Sequence, residues 1–327
     1  MPELSVIEAI RETMRSEMRR DSSIILMGED VAHRGGVFLA SDGFFEEFGE
    51  DRVIDTPLAE SSICGVALGA AVNGMRPIAE IQFADFVWPA INQLVGEAAR
   101  VRYGTNGVKT APMTVRVPYG GGVRGGLYHS QSIEVLFAHT PGLSVVAPAT
   151  PYDAKGLLTT ALRSNDPVIV LEHKRTYRLA KGEVPEEEYS IPIGQAEVKR
   201  EGSDISLVTY GLMLHYSLQA AEMAAGRGID VEVVDLRTLR PIDAKTIIKS
   251  VSKTGKALIV QEDTPAISVS SEVAAIIGEN CFFDLDGPIT RLGPPEIPPM
   301  PFSPVQEAAF MPSPEKILDA IVRLAAI

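Results

Sequence analysis

Residues 61–83 read SSICGVALGAAVNGMRPIAEIQF, and this stretch decides the fold class. Ser61 to Val72 is a proline-free run of small residues that predicts a helix. Pro77 to Phe83 is a short, mostly apolar run that predicts a strand buried on both faces. The same change of rhythm recurs on either side. Ile24-Ile25-Leu26-Met27, Met113 to Val117, Leu143 to Val146 and Val168 to Leu171 read as strands. Trp88 to Tyr103 and Tyr152 to Leu162 read as helices. Apolar strands separated by helices predict an α/β domain with a mostly parallel sheet covered on both faces.

The beginning of the chain fits that scheme. Ser5 and Glu8 form a capping-box pattern, and Ile7, Ile10, Met14 and Met18 recur at helical spacing. Lys174 to Pro192 breaks the alternation with charge and proline, which predicts a connection between domains. A second alternation follows. Strands are expected at Ile205 to Thr209, Val231 to Val234 and Ala257 to Val260, and helices at Leu212 to Ala225, Ala244 to Val251 and Ser268 to Gly278. The expected organisation is a first domain over residues 1–185, a linker over 186–200 and a smaller α/β domain over 201–327. Gly287 to Pro304 is dense in proline and predicts an irregular surface segment. Pro314 to Leu324 predicts a closing helix, with Pro314 in its first turn.

Composition narrows the functions. The chain has 327 residues, of which 45% are apolar, enough for two cores. Its formal net charge of −13 argues against a nucleic-acid partner. No run approaches the roughly 20 apolar residues that cross a bilayer, so no membrane role is expected. Met1-Pro2-Glu3 lacks the basic and apolar regions of a signal peptide. Cys64 and Cys281 are far apart and read as free thiols in a reducing compartment, so a cytoplasmic location is expected.

Three segments are candidates for chemistry. In Asp55-Thr56-Pro57-Leu58-Ala59-Glu60, Pro57 stiffens a turn and Glu60 stands where a helix begins. An acid there can simply complement the helix dipole, which stabilises by about 0.3–1 kcal/mol. Gly65, Ala67, Gly69, Ala70, Ala71 and Gly74 along that helix suggest close approach by another helix, a ligand or a subunit. In Ala79 to Trp88, aromatic residues surround Asp85, and Gln82 offers an amide. That segment reads equally as a strand end capped by Asp85 or as a stacking platform with a hydrogen-bonding group. In Gly120 to Ser132, five glycines in seven residues are costly in backbone entropy and imply unusual turns or close approach. His129 follows, with Arg124, Ser130 and Gln131 nearby in sequence, and is a candidate general acid/base. No Gly-Lys-Ser/Thr follows, so the loop is not a phosphate loop. His33, His139, His173 and His215 read as structural or surface residues. Glu29-Asp30 lies at the end of the first long strand, where α/β sheets usually present ligand groups.

Gly28-Glu29-Asp30-Val31, Gly35-Gly36-Val37-Phe38, Asp55 to Glu60, Glu80-Ile81-Gln82-Phe83-Ala84-Asp85-Phe86 and Tyr128-His129-Ser130-Gln131-Ser132 occur in this order. The ordered set resembles the β subunits of the decarboxylating first component of 2-oxo acid dehydrogenase complexes, especially the branched-chain type. Asp235-Leu236-Arg237-Thr238-Leu239-Arg240-Pro241-Ile242-Asp243 resembles the transketolase C-terminal domain. The resemblance implies a thiamine diphosphate-binding, pyrimidine-type domain followed by a transketolase C-terminal-like domain. It implies a heterotetramer of two α and two β chains within a multienzyme complex. Thiamine diphosphate would lie at the α–β interface, with Mg²⁺ held mainly by the α subunit and no metal ligand here. Oxidative decarboxylation of a 2-oxo acid would be followed by acyl transfer to lipoyl on the acyltransferase.

By the same resemblance, Glu60 matches the glutamate that hydrogen-bonds the aminopyrimidine. Glu29, Leu58, Ala59, Gln82 and Phe86 match other cofactor contacts. Phe83, Phe86 and His129 would face substrate, with His129 moving protons during acyl transfer. Phe86 stands where branched-chain relatives usually carry tyrosine. Ser164 falls where potassium-binding relatives offer a carboxylate. Gln261-Glu262-Asp263 and the run Pro294 to Phe302 also depart from the pattern. The chain lacks the Gly-Asp-Gly and later Asn-Asn that hold the diphosphate and its metal; Ser41-Asp42-Gly43 and Leu285-Asp286-Gly287 are the nearest. Half of such a site would therefore come from a partner. Pyruvate or acetoin as substrate, a transketolase-like activity, and a non-catalytic scaffold are the alternatives.

Overall fold

The computed structural model describes residues 1–327. The chain divides into two compact units. The first comprises Met1–Tyr119 and Leu136–Ile193, and the second Gly120–Val135 and Gly194–Ile327. Residues 120–135, expected within the first domain, pack with the second unit.

In the first unit the strands are β1 (Glu3–Ser5), β2 (Ile24–Gly28), β3 (Val53–Asp55), β4 (Arg76–Glu80), β5 (Thr114–Tyr119), β6 (Ser144–Val146), β7 (Val168–His173) and β8 (Lys181–Glu183). Six of them run in the order β6-β7-β5-β4-β2-β3, and every pairing between them is parallel. β1 and β8 form a separate antiparallel pair. β2, β5 and β7 are buried at every position, as expected for strands covered on both faces. One covering layer is the helix Val6–Arg20. Ser5 and Glu8 close its capping box, with the Ser5 N–H donating to Glu8 Oε2 at 2.7 Å. Its Ile10, Met14 and Met18 are buried in one core with Leu157 and Leu158 of the helix Pro151–Arg163 and with Ile24 and Leu26 of β2.

In the second unit the strands are β9 (Glu197–Arg200), β10 (Ile205–Thr209), β11 (Val231–Asp235), β12 (Thr238–Arg240), β13 (Ala257–Val260) and β14 (Thr290–Leu292). The sheet order is β14-β13-β10-β11-β9, parallel except for β9. The closing helix, Pro314–Ala325, is capped by Ser313, whose hydroxyl accepts from the Lys316 N–H, and it buries Ile317, Ile321 and Leu324.

Three expectations are corrected. The strand expected at 77–83 ends at Glu80, so Gln82 and Phe83 lie beyond it. The helix expected at 88–103 is broken into a 3-10 turn at Trp88–Ala90, a π-helical stretch at Asn92–Glu97, a second 3-10 turn and one α-turn at Val101–Gly104. Periodicity reports an apolar face but not how tightly the backbone is wound, and Gly96 and Pro89 weaken regular winding. The 287–304 region is not wholly irregular. β14 extends the second sheet, and the helix Pro304–Phe310 begins at its end.

Candidate functional site

The ends of β2, β3 and β4 bring the first group of candidates together. Because these strands are parallel, their carboxyl ends lie on one side. The Thr56 N–H donates to the Gly28 carbonyl at 2.9 Å, and Asp55 Oδ1 accepts from the Ala32 N–H at 2.7 Å. These bonds fix the turn that leads through Pro57, the exposed Leu58 and Ala59 to Glu60. Glu60 is half-buried and is the first residue of the helix Glu60–Val72. An acid at this position stands against the positive end of the helix dipole.

Glu29 follows β2 directly. Burial, then the charges of Asp30 and Glu60, raises its carboxyl above the usual range. Glu60 also helps push Cys64, one helical turn on, up to about 12, with burial the larger cause. The Gln82 amide donates to the Glu29 carbonyl at 3.3 Å. Glu29 thus lies next to both Glu60 and Gln82.

Aromatic residues line the chain beyond Gln82. Phe86 meets Phe83 edge-on at 5.9 Å, Phe83 meets Phe38 at 5.5 Å, and Phe38 meets Tyr177 at 5.1 Å. The Lys174 ammonium lies 5.7 Å from the centre of the Phe83 ring. The Tyr177 hydroxyl donates to Glu172, which is clamped by Arg116, and Arg116 also pairs with Glu80. Gly36, with φ +77°, passes beside Glu80: a side-chain carbon there would lie 3.1 Å from its Oε1. The Gly35-Gly36 pair therefore has a packing reason at its second position.

His129 belongs to the second unit, on the loop that follows β5. The Gly120 N–H donates to the Gln131 carbonyl at 3.0 Å and closes this loop at its base. A side-chain carbon on Gly125 would lie 2.5 Å from the His129 carbonyl oxygen, so Gly125 packs directly on the His129 backbone. Gly121 gives room to Met300, and Gly126 to Phe302. The Gly121 N–H donates to Glu262 at 2.5 Å, and the N–H groups of Gly122 and Arg124 donate to Glu307 at 3.1 and 3.0 Å. The glycines signalled a close approach; the residues that approach were not legible from the loop. Glu134, just after it, is wholly buried. Burial, and then the charges of Asp263 and Glu262, raises its carboxyl well above the usual range; the Tyr210 hydroxyl and its own backbone act the other way.

Residues 2–180 match the transketolase pyrimidine-binding domain, and residues 194–317 match the transketolase C-terminal domain. The chain is 58% identical over 325 residues to the 2-oxoisovalerate dehydrogenase subunit beta of Bacillus subtilis, covering 99% of both chains. It belongs to the family of 2-oxo acid dehydrogenase β subunits. The pyruvate dehydrogenase E1 component subunit beta of Bacillus subtilis is 48% identical over 319 residues, covering 98% of both chains. A solved split-gene transketolase, described as an inactive beta4 tetramer, shares the fold with a TM-score of 0.78 at 22% identity, covering 99% of this chain and 98% of the other. Members of this β-subunit family are parts of oxidoreductases, and the branched-chain relative is more similar to this chain than the pyruvate relative is. No helix is long and apolar enough to cross a membrane.

Proposed function

We propose that this chain is the β subunit of a thiamine diphosphate-dependent branched-chain 2-oxo acid dehydrogenase, active only with its α subunit. The observation that carries the site assignment is the meeting of Glu60, Glu29 and Gln82 at the carboxyl ends of parallel strands, with an aromatic row beside them. These residues fit an aminopyrimidine. A half-buried carboxylate can accept from a protonated ring nitrogen, an amide can pair with ring substituents, and an aromatic face can pack on the ring. The Thr56 hydroxyl is also buried without a partner in the chain, a polar atom left for a ligand.

On this reading Glu60 holds the proton at the pyrimidine nitrogen. Phe86 packs on the ring, and Glu29, Leu58, Ala59 and Gln82 complete the cradle. Bound thiamine diphosphate supplies the electron sink for loss of carbon dioxide. Phe83 and Phe86 offer apolar surface to a branched side chain. His129 moves a proton as the acyl group passes to lipoyl on the acyltransferase. The α subunit supplies the diphosphate and Mg²⁺ ligands that this chain lacks, in an assembly of two α and two β chains in the cytoplasm. Residues 1–185 then form the pyrimidine-binding domain and 201–327 the C-terminal domain, joined by 186–200.

Glu60→Ala tests the assignment. The assembled variant is expected to lose at least about 100-fold in decarboxylation and to bind thiamine diphosphate more weakly by calorimetry, with an unchanged unfolding curve. Wild-type turnover and cofactor affinity in that variant would sink it.

A further inference from the structure

The His129 loop takes left-handed turns that its glycines accommodate and that Arg124, with a β-carbon, does not favour. Gly120 and Gly122 have φ of +81° and +75°, and Arg124, which carries a side chain, has φ of +61°. A left-handed residue with a β-carbon needs an outside constraint to persist. That constraint is visible. Turns that alternate between the two hands aim successive N–H groups inward and make a concavity that binds anions. Here the N–H groups of Gly122 and Arg124 converge on one oxygen, Oε1 of Glu307, at 3.1 and 3.0 Å. Glu307 is 6% exposed and stands on the helix Pro304–Phe310, about 180 residues away in sequence. Arg124 is followed by Gly125, which packs on the backbone of His129 and the hydroxyl of Ser130. The contacts therefore run without a gap from the Glu307 carboxylate through Arg124 and Gly125 to His129.

We infer that Glu307 is a positioning residue for His129, one oxygen of its side chain accepting the two N–H bonds that hold the loop's amide concavity in shape. The inference rests on the reading of His129 as the residue that serves acyl transfer. Only one carboxylate oxygen accepts both bonds, so an uncharged side chain of the same length that keeps an acceptor oxygen retains the geometry. A truncated side chain releases the loop.

The test uses the assembled enzyme with its α subunit and a lipoylated acyltransferase domain. It measures decarboxylation with an artificial electron acceptor and acyl transfer to lipoyl separately, for H129A, E307A, E307Q and the double variant H129A/E307A. The inference expects E307A to lower acyl transfer by at least about tenfold while decarboxylation falls much less. It expects E307Q to restore transfer to within about threefold of wild type, and the double variant to be no worse than H129A, as for groups acting as one unit. Hydrogen exchange at the 121–124 amides should rise in E307A and not in E307Q. Selective loss in H129A with none in E307A overturns the inference and leaves the reading of His129 standing. Additive losses in the double variant, or equal loss in both half-reactions by E307A and E307Q, also overturn it. No selective loss in H129A itself overturns the reading on which it rests.

Discussion

Arg116 grips Glu172 through two parallel hydrogen bonds, 2.8 Å from Nε and 2.7 Å from Nη2, with both side chains shut away from water. Its remaining nitrogen turns to Glu80, one strand over, so a single guanidinium on β5 ties β4 to β7. Burial opposes the charge on Arg116, and the two carboxylates together hold it protonated against that cost. Tyr177 joins through Glu172 and touches Phe38, so the network underlies the aromatic row beside Gln82.

Arg116→Met is therefore expected to destabilise the first unit by roughly 3–5 kcal/mol, because two buried carboxylates lose the cation they share. Urea unfolding followed by circular dichroism would read this. A loss below about 1 kcal/mol would show that Glu80 and Glu172 are neutralised by other means.

Glu134 and Asp263 predict a pH dependence of stability. Both carboxyls titrate above their ordinary values, Asp263 at about 6 instead of 3.8, chiefly through burial. A carboxyl with a raised folded pKa binds its proton more tightly when folded. Its favourable contribution is complete below the unfolded pKa and is lost as pH rises through the folded one. Stability should thus decline above pH 4, through about 6 for Asp263 and further for Glu134. Glu134→Gln and Asp263→Asn should each flatten that decline. Melting temperatures between pH 5 and pH 8 would check it, and variants that steepen the slope would contradict the assignment.

Cys64 should be inert while the chain is folded. It is wholly buried, and its thiol is pushed up to about 12 by burial and by Glu60. Almost no thiolate exists at pH 8, and the thiolate is the reactive form. Alkylation at pH 8 followed by peptide mass analysis should leave Cys64 unmodified until denaturant is added. Rapid labelling of native protein would mean that the start of the Glu60–Val72 helix opens readily.

Much of this was legible in the sequence because it is local. The capping box at Ser5 and Glu8, the strand Ile205–Thr209 and the helix Leu212–Ala225 follow from periodicity and caps alone. The place of Glu29 at the carboxyl end of the first long strand was legible too, whereas its grouping with Glu60 and Gln82 came from the family resemblance, the expected strand having run through Gln82 to Phe83. What escaped depends on partners distant in sequence. Nothing in Glu262, Met300 or Glu307 announces that each folds against the glycine loop, although the glycines announced that something would. β14 was hidden by the prolines around it, because an edge strand of three residues carries too little periodicity to read. The broken winding of residues 88–104 escaped because its apolar pattern is the same as that of a regular helix.

The proposed site is shared between this chain and an α subunit. Decarboxylation of a panel of straight and branched 2-oxo acids, with thiamine diphosphate, Mg²⁺ and an artificial electron acceptor, tests it directly when run on this chain alone and on the mixture. Turnover is expected only in the mixture, highest with the branched acids. Turnover by this chain alone, or none from a correctly assembled heterotetramer, would contradict it.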